Sequence, residues 1–179
     1  MRGEIVAFPT ETYYGLGAAA LHAGAIDRLV ALKGRETGRP FPVLVADRAM
    51  LDRIARVPEE AEELLRRYWP GPLTVALPAM PGLPAPLVSD TGEVGARISS
   101  HPLAQQLVAR LGAPITATSA NRAGERPACN ASEVGAGLPG VSVLDGGPTP
   151  GGAPSTVVRF ERGRLIVLRQ GALRVSWPR

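Results

Sequence analysis

One ten-residue stretch, Phe8-Pro9-Thr10-Glu11-Thr12-Tyr13-Tyr14-Gly15-Leu16-Gly17, restricts the fold of this chain more than any other. The run 5–8 that leads into it is apolar, short and β-compatible. Pro9 cannot donate to a β-ladder, and Gly15 and Gly17 permit backbone angles that other residues resist. The pattern predicts a strand running directly into a turn that carries hydroxyls and a carboxylate. Two readings fit that turn: its hydroxyls bind a ligand, or they satisfy the hydrogen bonds of a tight strand end.

Helix and strand signals alternate from there on. Ile26, Leu29, Val30 and Lys33 share one helical face, and Gly34 is a suitable stop. A polar loop with Arg35 and Arg39 precedes a buried strand over 43–46 and a weak helix over 49–55. Pro58 and four glutamates before Leu64-Leu65-Arg66-Arg67 predict a helix whose charges suit its macrodipole. Strands follow over 73–77 and 94–98, separated by a Pro- and Gly-rich loop over 78–92 that is suited to act as a lid. Ser100 is placed to cap a helix that Pro102 begins and Gly112 ends, and a strand over 115–118 delivers Ser119-Ala120-Asn121. A strand over 141–144, a loop over 145–154 and a hairpin over 156–169 complete the pattern. The expected fold is α/β: a single domain over 1–179, with its core over 5–171 and a mixed, twisted open sheet flanked by helices.

The single cysteine, Cys129, excludes an intrachain disulfide framework or thiolate cluster and suits a reducing compartment. The absence of a signal-like N-terminus or a long apolar run predicts a soluble, cytoplasmic protein. A net charge of +4 and a pI near 10.0 favour an anionic partner. Lys33 is the only lysine, every other basic position being arginine, so a compact ammonium is wanted there.

Four constellations can carry chemistry: the 10–17 turn, Lys33 with Arg35, Ser119 with Asn121, and Ser155-Thr156 with Arg169. Lys33 and Arg35 read either as a phosphate site, with a point charge beside a planar fork, or as cations closing a helix. The polar pairs read either as ligand contacts or as turn residues bonding their own backbone. No Walker-type loop, dinucleotide fingerprint, nucleophile elbow or metal-ligand spacing occurs.

Taken together, Phe8-Pro9-Thr10-Glu11-Thr12 with Tyr14-Gly15-Leu16-Gly17, Lys33-Gly34-Arg35, Trp69-Pro70-Gly71-Pro72-Leu73-Thr74, Val94-Gly95-Ala96-Arg97, Ser119-Ala120-Asn121 and Ser155-Thr156-Val157-Val158 closely resemble the YrdC-like family of threonylcarbamoyl-AMP synthases, in its short single-domain form. The resemblance implies a nucleotidyltransferase that makes L-threonylcarbamoyl-adenylate from L-threonine, bicarbonate or CO₂, and ATP, releasing pyrophosphate. The product would serve tRNA modification by downstream transferase proteins. It further implies that Thr12, Arg97 and Ser155 hold threonine and that Lys33, Arg35, Arg39, Ser119, Asn121 and Arg169 line the nucleotide, with Lys33 and Arg35 acting on the reacting phosphates. Mg²⁺ would arrive with ATP, without a dedicated protein site. Substituting Lys33→Ala or Arg35→Ala should then remove most activity and leave the fold intact. Tyr13, Glu93 and Ala123 depart from the usual valine, threonine and serine, and Glu93 would place a carboxylate beside the nucleotide. A structured-RNA-binding protein with a basic concave face is the alternative, though aromatics at 4% give little support to base stacking. A hydrogenase-maturation carbamoyltransferase domain is a third reading, one that needs zinc-finger and acylphosphatase parts for which this chain has no room.

Overall fold

The protein is described from a computed structural model, over residues 4–34 and 40–177. In chain order the first elements are β1 (Val6–Pro9), β2 (Tyr14–Gly17), α1 (Ala23–Lys33), β3 (Val43–Leu44), α2 (Arg48–Asp52), α3 (Glu59–Tyr68) and β4 (Leu73–Pro78). There follow β5 (Glu93–Arg97), α4 (Pro102–Leu111), β6 (Ile115–Thr116), β7 (Thr118–Ser119) and α5 (Ala131–Gly137). The chain closes with β8 (Ser142–Val143), β9 (Thr156–Glu161) and β10 (Arg164–Arg169).

The mixed α/β arrangement with flanking helices is the expected one, but the strands divide between two sheets. One has the order β7-β2-β1-β8 and the other β10-β9-β4-β5-β3-β6. Both mix parallel and antiparallel neighbours: β1 pairs antiparallel with β2 and parallel with β8, and β4 pairs antiparallel with β5 and parallel with β9. The stretch expected as one strand over 115–118 breaks at Ala117. Thr116 pairs with Val43 in the larger sheet, whereas Thr118 pairs with Leu16 in the smaller. Between them the Ala117 N–H donates to Pro42 O at 2.8 Å, so one short segment crosses between the sheets. Thr116 stitches the crossing from below, donating to Leu16 O at 3.0 Å and accepting from the Ala18 N–H at 2.9 Å.

The opening stretch is a hairpin, with Val6 opposite Gly17 and Pro9 opposite Tyr14. Gly15 and Gly17 therefore lie in ordinary strands, not in the unusual backbone geometry expected of them. Space requires the second of them: a Cβ at Gly17 would lie 2.8 Å from Phe8 Cε1 and 3.2 Å from Ile115 Cδ1. Phe8, Tyr14, Leu16, Ile26, Leu29 and Ile115 are fully buried, so the hairpin, α1 and the crossing segment share one core.

Helix α1 buries Ile26, Leu29 and Lys33, and Gly34 ends it in the left-handed region at φ +58°. Helix α3 has its acids in the first turn and Arg66 and Arg67 in the last. The expected cap on α4 is corrected: His101, not Ser100, is the N-cap, with no side-chain bond, while Ser99 Oγ accepts from the His101 N–H at 3.2 Å. Helix α5 was not expected, although its start is visible in Asn130 and Glu133. Asn130 Oδ1 accepts from the Glu133 N–H at 2.8 Å, and Glu133 reaches back to the Cys129 N–H at 2.7 Å.

The loop over 78–92 folds around the short 3₁₀ turn Ala85–Leu87, with Leu87 fully buried and Pro86 O accepting from the Phe41 N–H at 2.9 Å. Among the described residues no helix is long and apolar enough to cross a membrane.

Candidate functional site

The ends of strands from both sheets meet at a cavity of about 180 Å³. The smaller sheet and its hairpin turn contribute Thr10, Thr12, Tyr13 and Gly15, and the crossing segment contributes Ser119. From the larger sheet come Arg97 at the end of β5, Ser155 just before β9 and Arg169 at the end of β10. Thr12, Arg97, Ser119, Ser155 and Arg169, expected at the site from sequence, thus share one cavity. Arg35 and Arg39 lie outside the described residues. None of the 78–92 residues lines the cavity, and Leu87 in that segment is fully buried in the core.

The turn between β1 and β2 is closed by its own hydroxyl. Thr10 Oγ1 donates to Tyr13 O at 2.7 Å and accepts from the Thr12 N–H at 3.2 Å, with Thr12 Oγ1 also 3.2 Å away. The glycine- and proline-rich loop 145–154 is tied over this turn. The Gly151 N–H donates to Thr12 O at 2.7 Å and Tyr13 Oη to Gly152 O at 2.5 Å. Tyr14 Oη donates to Gly147 O at 2.8 Å and accepts from the Gly146 N–H at 3.2 Å. This loop was read only as a connection, and the tyrosines that fasten it were the available signal.

Ser155, where the loop ends, shares a 2.9 Å hydrogen bond with Thr74 Oγ1. Arg169 donates to Ser155 O at 2.9 and 3.2 Å and to Ser155 Oγ at 3.2 Å. At the other end, Lys33 Nζ lies 2.9 Å from Ser119 O, 2.7 Å from Asn121 O and 2.8 Å from Asn121 Oδ1. Ser119 Oγ donates to Asn121 Oδ1 at 2.6 Å, and Asn121 Nδ2 to Glu125 O at 2.6 Å. Lys33 and Asn121 therefore join Ser119 at the edge of the cavity without lining it.

Arg97 is buried, and burial lowers its pKa from the ordinary arginine value while Glu11 acts in the opposite direction. Glu11 Oε1 accepts from Arg97 Nη1 at 2.7 Å. Glu11 was noticed as the one carboxylate in the opening turn but was given no role. His101, held low in pKa by burial and opposed by Glu11, keeps a buried Nδ1 without a hydrogen-bond partner. Glu93 stands at the opposite end of β5 from Arg97. It accepts from Thr91 Oγ1 at 2.7 Å and lies 3.9 Å from Arg159 Nη1, so its charge is met away from the cavity. Among the described residues no group of three His, Cys, Asp or Glu could hold a metal ion.

This arrangement suits a small anion with hydroxyl or amine groups, bound between a buried guanidinium and short hydroxyl side chains. Residues 1–171 match the Sua5/YciO/YrdC family model, described as telomere recombination. A threonylcarbamoyl-AMP synthase of Bacillus subtilis is 41% identical over 174 residues, which cover 95% of this chain and 50% of that protein. A threonylcarbamoyl-AMP synthase of Pyrococcus abyssi is 38% identical, over 96% of this chain and 51% of that protein. The solved structure of P. abyssi Sua5 complexed with L-threonine superposes with a TM-score of 0.90 at 38% identity, over 96% of this chain and 51% of that one. The chain thus spans about half the length of these relatives.

Proposed function

The chain belongs to the Sua5/YciO/YrdC family, and we propose that it is a nucleotidyltransferase that makes L-threonylcarbamoyl-adenylate from L-threonine, bicarbonate or CO₂, and ATP. The observation that carries this reading is the convergence of Arg97, Thr12, Ser155, Ser119 and Arg169 on one cavity of about 180 Å³. That volume is suited to an amino acid. A relative 38% identical to this chain has been solved with L-threonine, which supports the same choice here. We assign the threonine carboxylate to Arg97, with Thr12 and Ser155 as hydroxyl partners. Ser119, Asn121, Lys33 and Arg169 take the nucleotide side, together with Arg35 and Arg39.

The reaction joins two anions, which sets what the protein must supply. The unprotonated threonine amine adds to CO₂ and gives up a proton to form a carbamate. A carbamate oxygen then attacks the α-phosphorus of ATP, the bond to the β-phosphate oxygen breaks, and pyrophosphate leaves. Fixed cations lower the cost of that approach, and holding the two reactants side by side replaces a bimolecular encounter. Lys33, Arg35 and Arg169 would offset phosphate charge, Arg169 from the Ser155 end and Lys33 from the Ser119–Asn121 end. Mg²⁺ enters as part of the substrate MgATP, and no residue of this chain is assigned to it. Because an N-carboxy amine loses CO₂ readily in water, enclosure matters, and the loop 145–154 fastened over the hairpin turn is placed to provide it. We read this chain as a YrdC-like domain acting in the cytoplasm, its product consumed by a transferase that modifies tRNA. Family membership favours this enzyme over the RNA-binding alternative.

Pyrophosphate release tests the reading. Release from ATP should require both L-threonine and bicarbonate, and L-serine should substitute poorly. Release that ignores threonine, or no release at all, would reject it.

A further inference from the structure

The guanidinium that Arg97 brings to the cavity wall is held from behind. Glu11 Oε1 accepts from Arg97 Nη1 at 2.7 Å, with the two side chains only 13% and 6% exposed. The second Glu11 oxygen accepts from Ser99 Oγ. Ser99 is itself fixed, since its Oγ accepts from the His101 N–H at 3.2 Å and its carbonyl from Gln105 Nε2 at 2.8 Å. Arg97 lines the cavity and Glu11 does not. Glu11 therefore reaches the ligand only through Arg97.

A guanidinium presents its donors on one rigid plane, so a fixed carboxylate on one nitrogen sets the direction of the remaining donors. A buried cation without that carboxylate would also be drawn toward water, away from the wall. Resting on the reading of this cavity as the threonine site, we propose that Glu11 is a positioning residue for the amino acid: it orients Arg97 and balances its buried charge so that the fork faces a carboxylate in the cavity. Glu11 touches neither substrate. Its effect should fall on threonine and spare the nucleotide, which lies toward Lys33 and Ser119.

The test is isothermal titration of the whole chain with L-threonine and, separately, with ATP, for the wild type, Glu11→Gln and Glu11→Ala. Glutamine keeps an oxygen for Arg97 but disturbs the Ser99 bond, and alanine keeps neither. Threonine affinity should fall at least threefold in Glu11→Gln and at least tenfold in Glu11→Ala, with ATP affinity within twofold of the wild type in both. A general loosening of the fold would weaken both ligands together, and that outcome overturns the proposal. So does threonine affinity within twofold of the wild type in Glu11→Gln, the variant that decides if Glu11→Ala does not fold. Wild-type protein that fails to bind threonine would overturn the threonine-site reading and this inference with it. Normal wild-type binding beside unchanged variants overturns the inference alone.

Discussion

Lys33 shows how much one side chain can organise. It is 3% exposed, and its ammonium has Ser119 O, Asn121 O and Asn121 Oδ1 within 2.9 Å. In this state it shapes the 119–121 turn, a role that the assignment to phosphates did not include. Substituting Lys33→Met would take the ammonium from Asn121 O, while Ser119 O keeps the Asn121 N–H and Asn121 Oδ1 keeps Ser119 Oγ. The cost of one such unmet polar group is about 1–3 kcal/mol, so the urea midpoint should fall along with turnover. An unchanged midpoint would show that the turn holds itself and that only the charge matters. Its being the sole lysine made the residue legible in the sequence. The acceptors were not legible, because they lie 86 and 88 positions along the chain and only the fold brings them to α1. Glu11 was hidden for the same reason, since its partner Arg97 is 86 positions away.

At the scale of elements, the hairpin β1–β2 is packed with little room to spare. Gly17 faces the ring of Phe8 across the pair, and an added methyl would lie 2.8 Å from that ring and 3.2 Å from Ile115 Cδ1. Gly17→Ala should cost about 1–3 kcal/mol, as overpacking of a filled core does. Denaturant unfolding should show a lower midpoint with an unchanged slope; a midpoint equal to the wild type would mean that Phe8 has space to yield. Most elements were legible from periodicity and caps, among them α1 with its Gly34 stop, α3 with its ordered charges, and the β9–β10 hairpin. The misplaced features depend on distant packing. Nothing local in 115–118 says that Ala117 will turn the chain from one sheet to the other, and nothing local in 78–92 says that Leu87 will be drawn into the core.

At the scale of the molecule, the cavity belongs to neither sheet alone. Tyr13, Gly15 and Ser119 come with the smaller sheet, and Arg97, Ser155 and Arg169 with the larger, so a ligand filling the cavity would bridge the two. Those side chains were legible singly as polar strand ends, but the two-sheet frame that turns them toward one another was not. A ligand that binds only the folded chain stabilises it by about 2.7 kcal/mol at one hundred times its Kd. For a domain of this size that corresponds to a rise in Tm of roughly 5–11 °C. L-Threonine at that excess should produce such a shift, L-serine at the same concentration a smaller one, and Arg97→Ala should abolish the response to threonine while keeping the response to ATP. The last comparison carries the most weight, because Arg97 is assigned to threonine and to no part of the nucleotide. If Arg97→Ala removed both responses, the wall between the sheets would be acting as a single binding surface, and the assignment of separate residues to threonine and to the nucleotide would have to be abandoned.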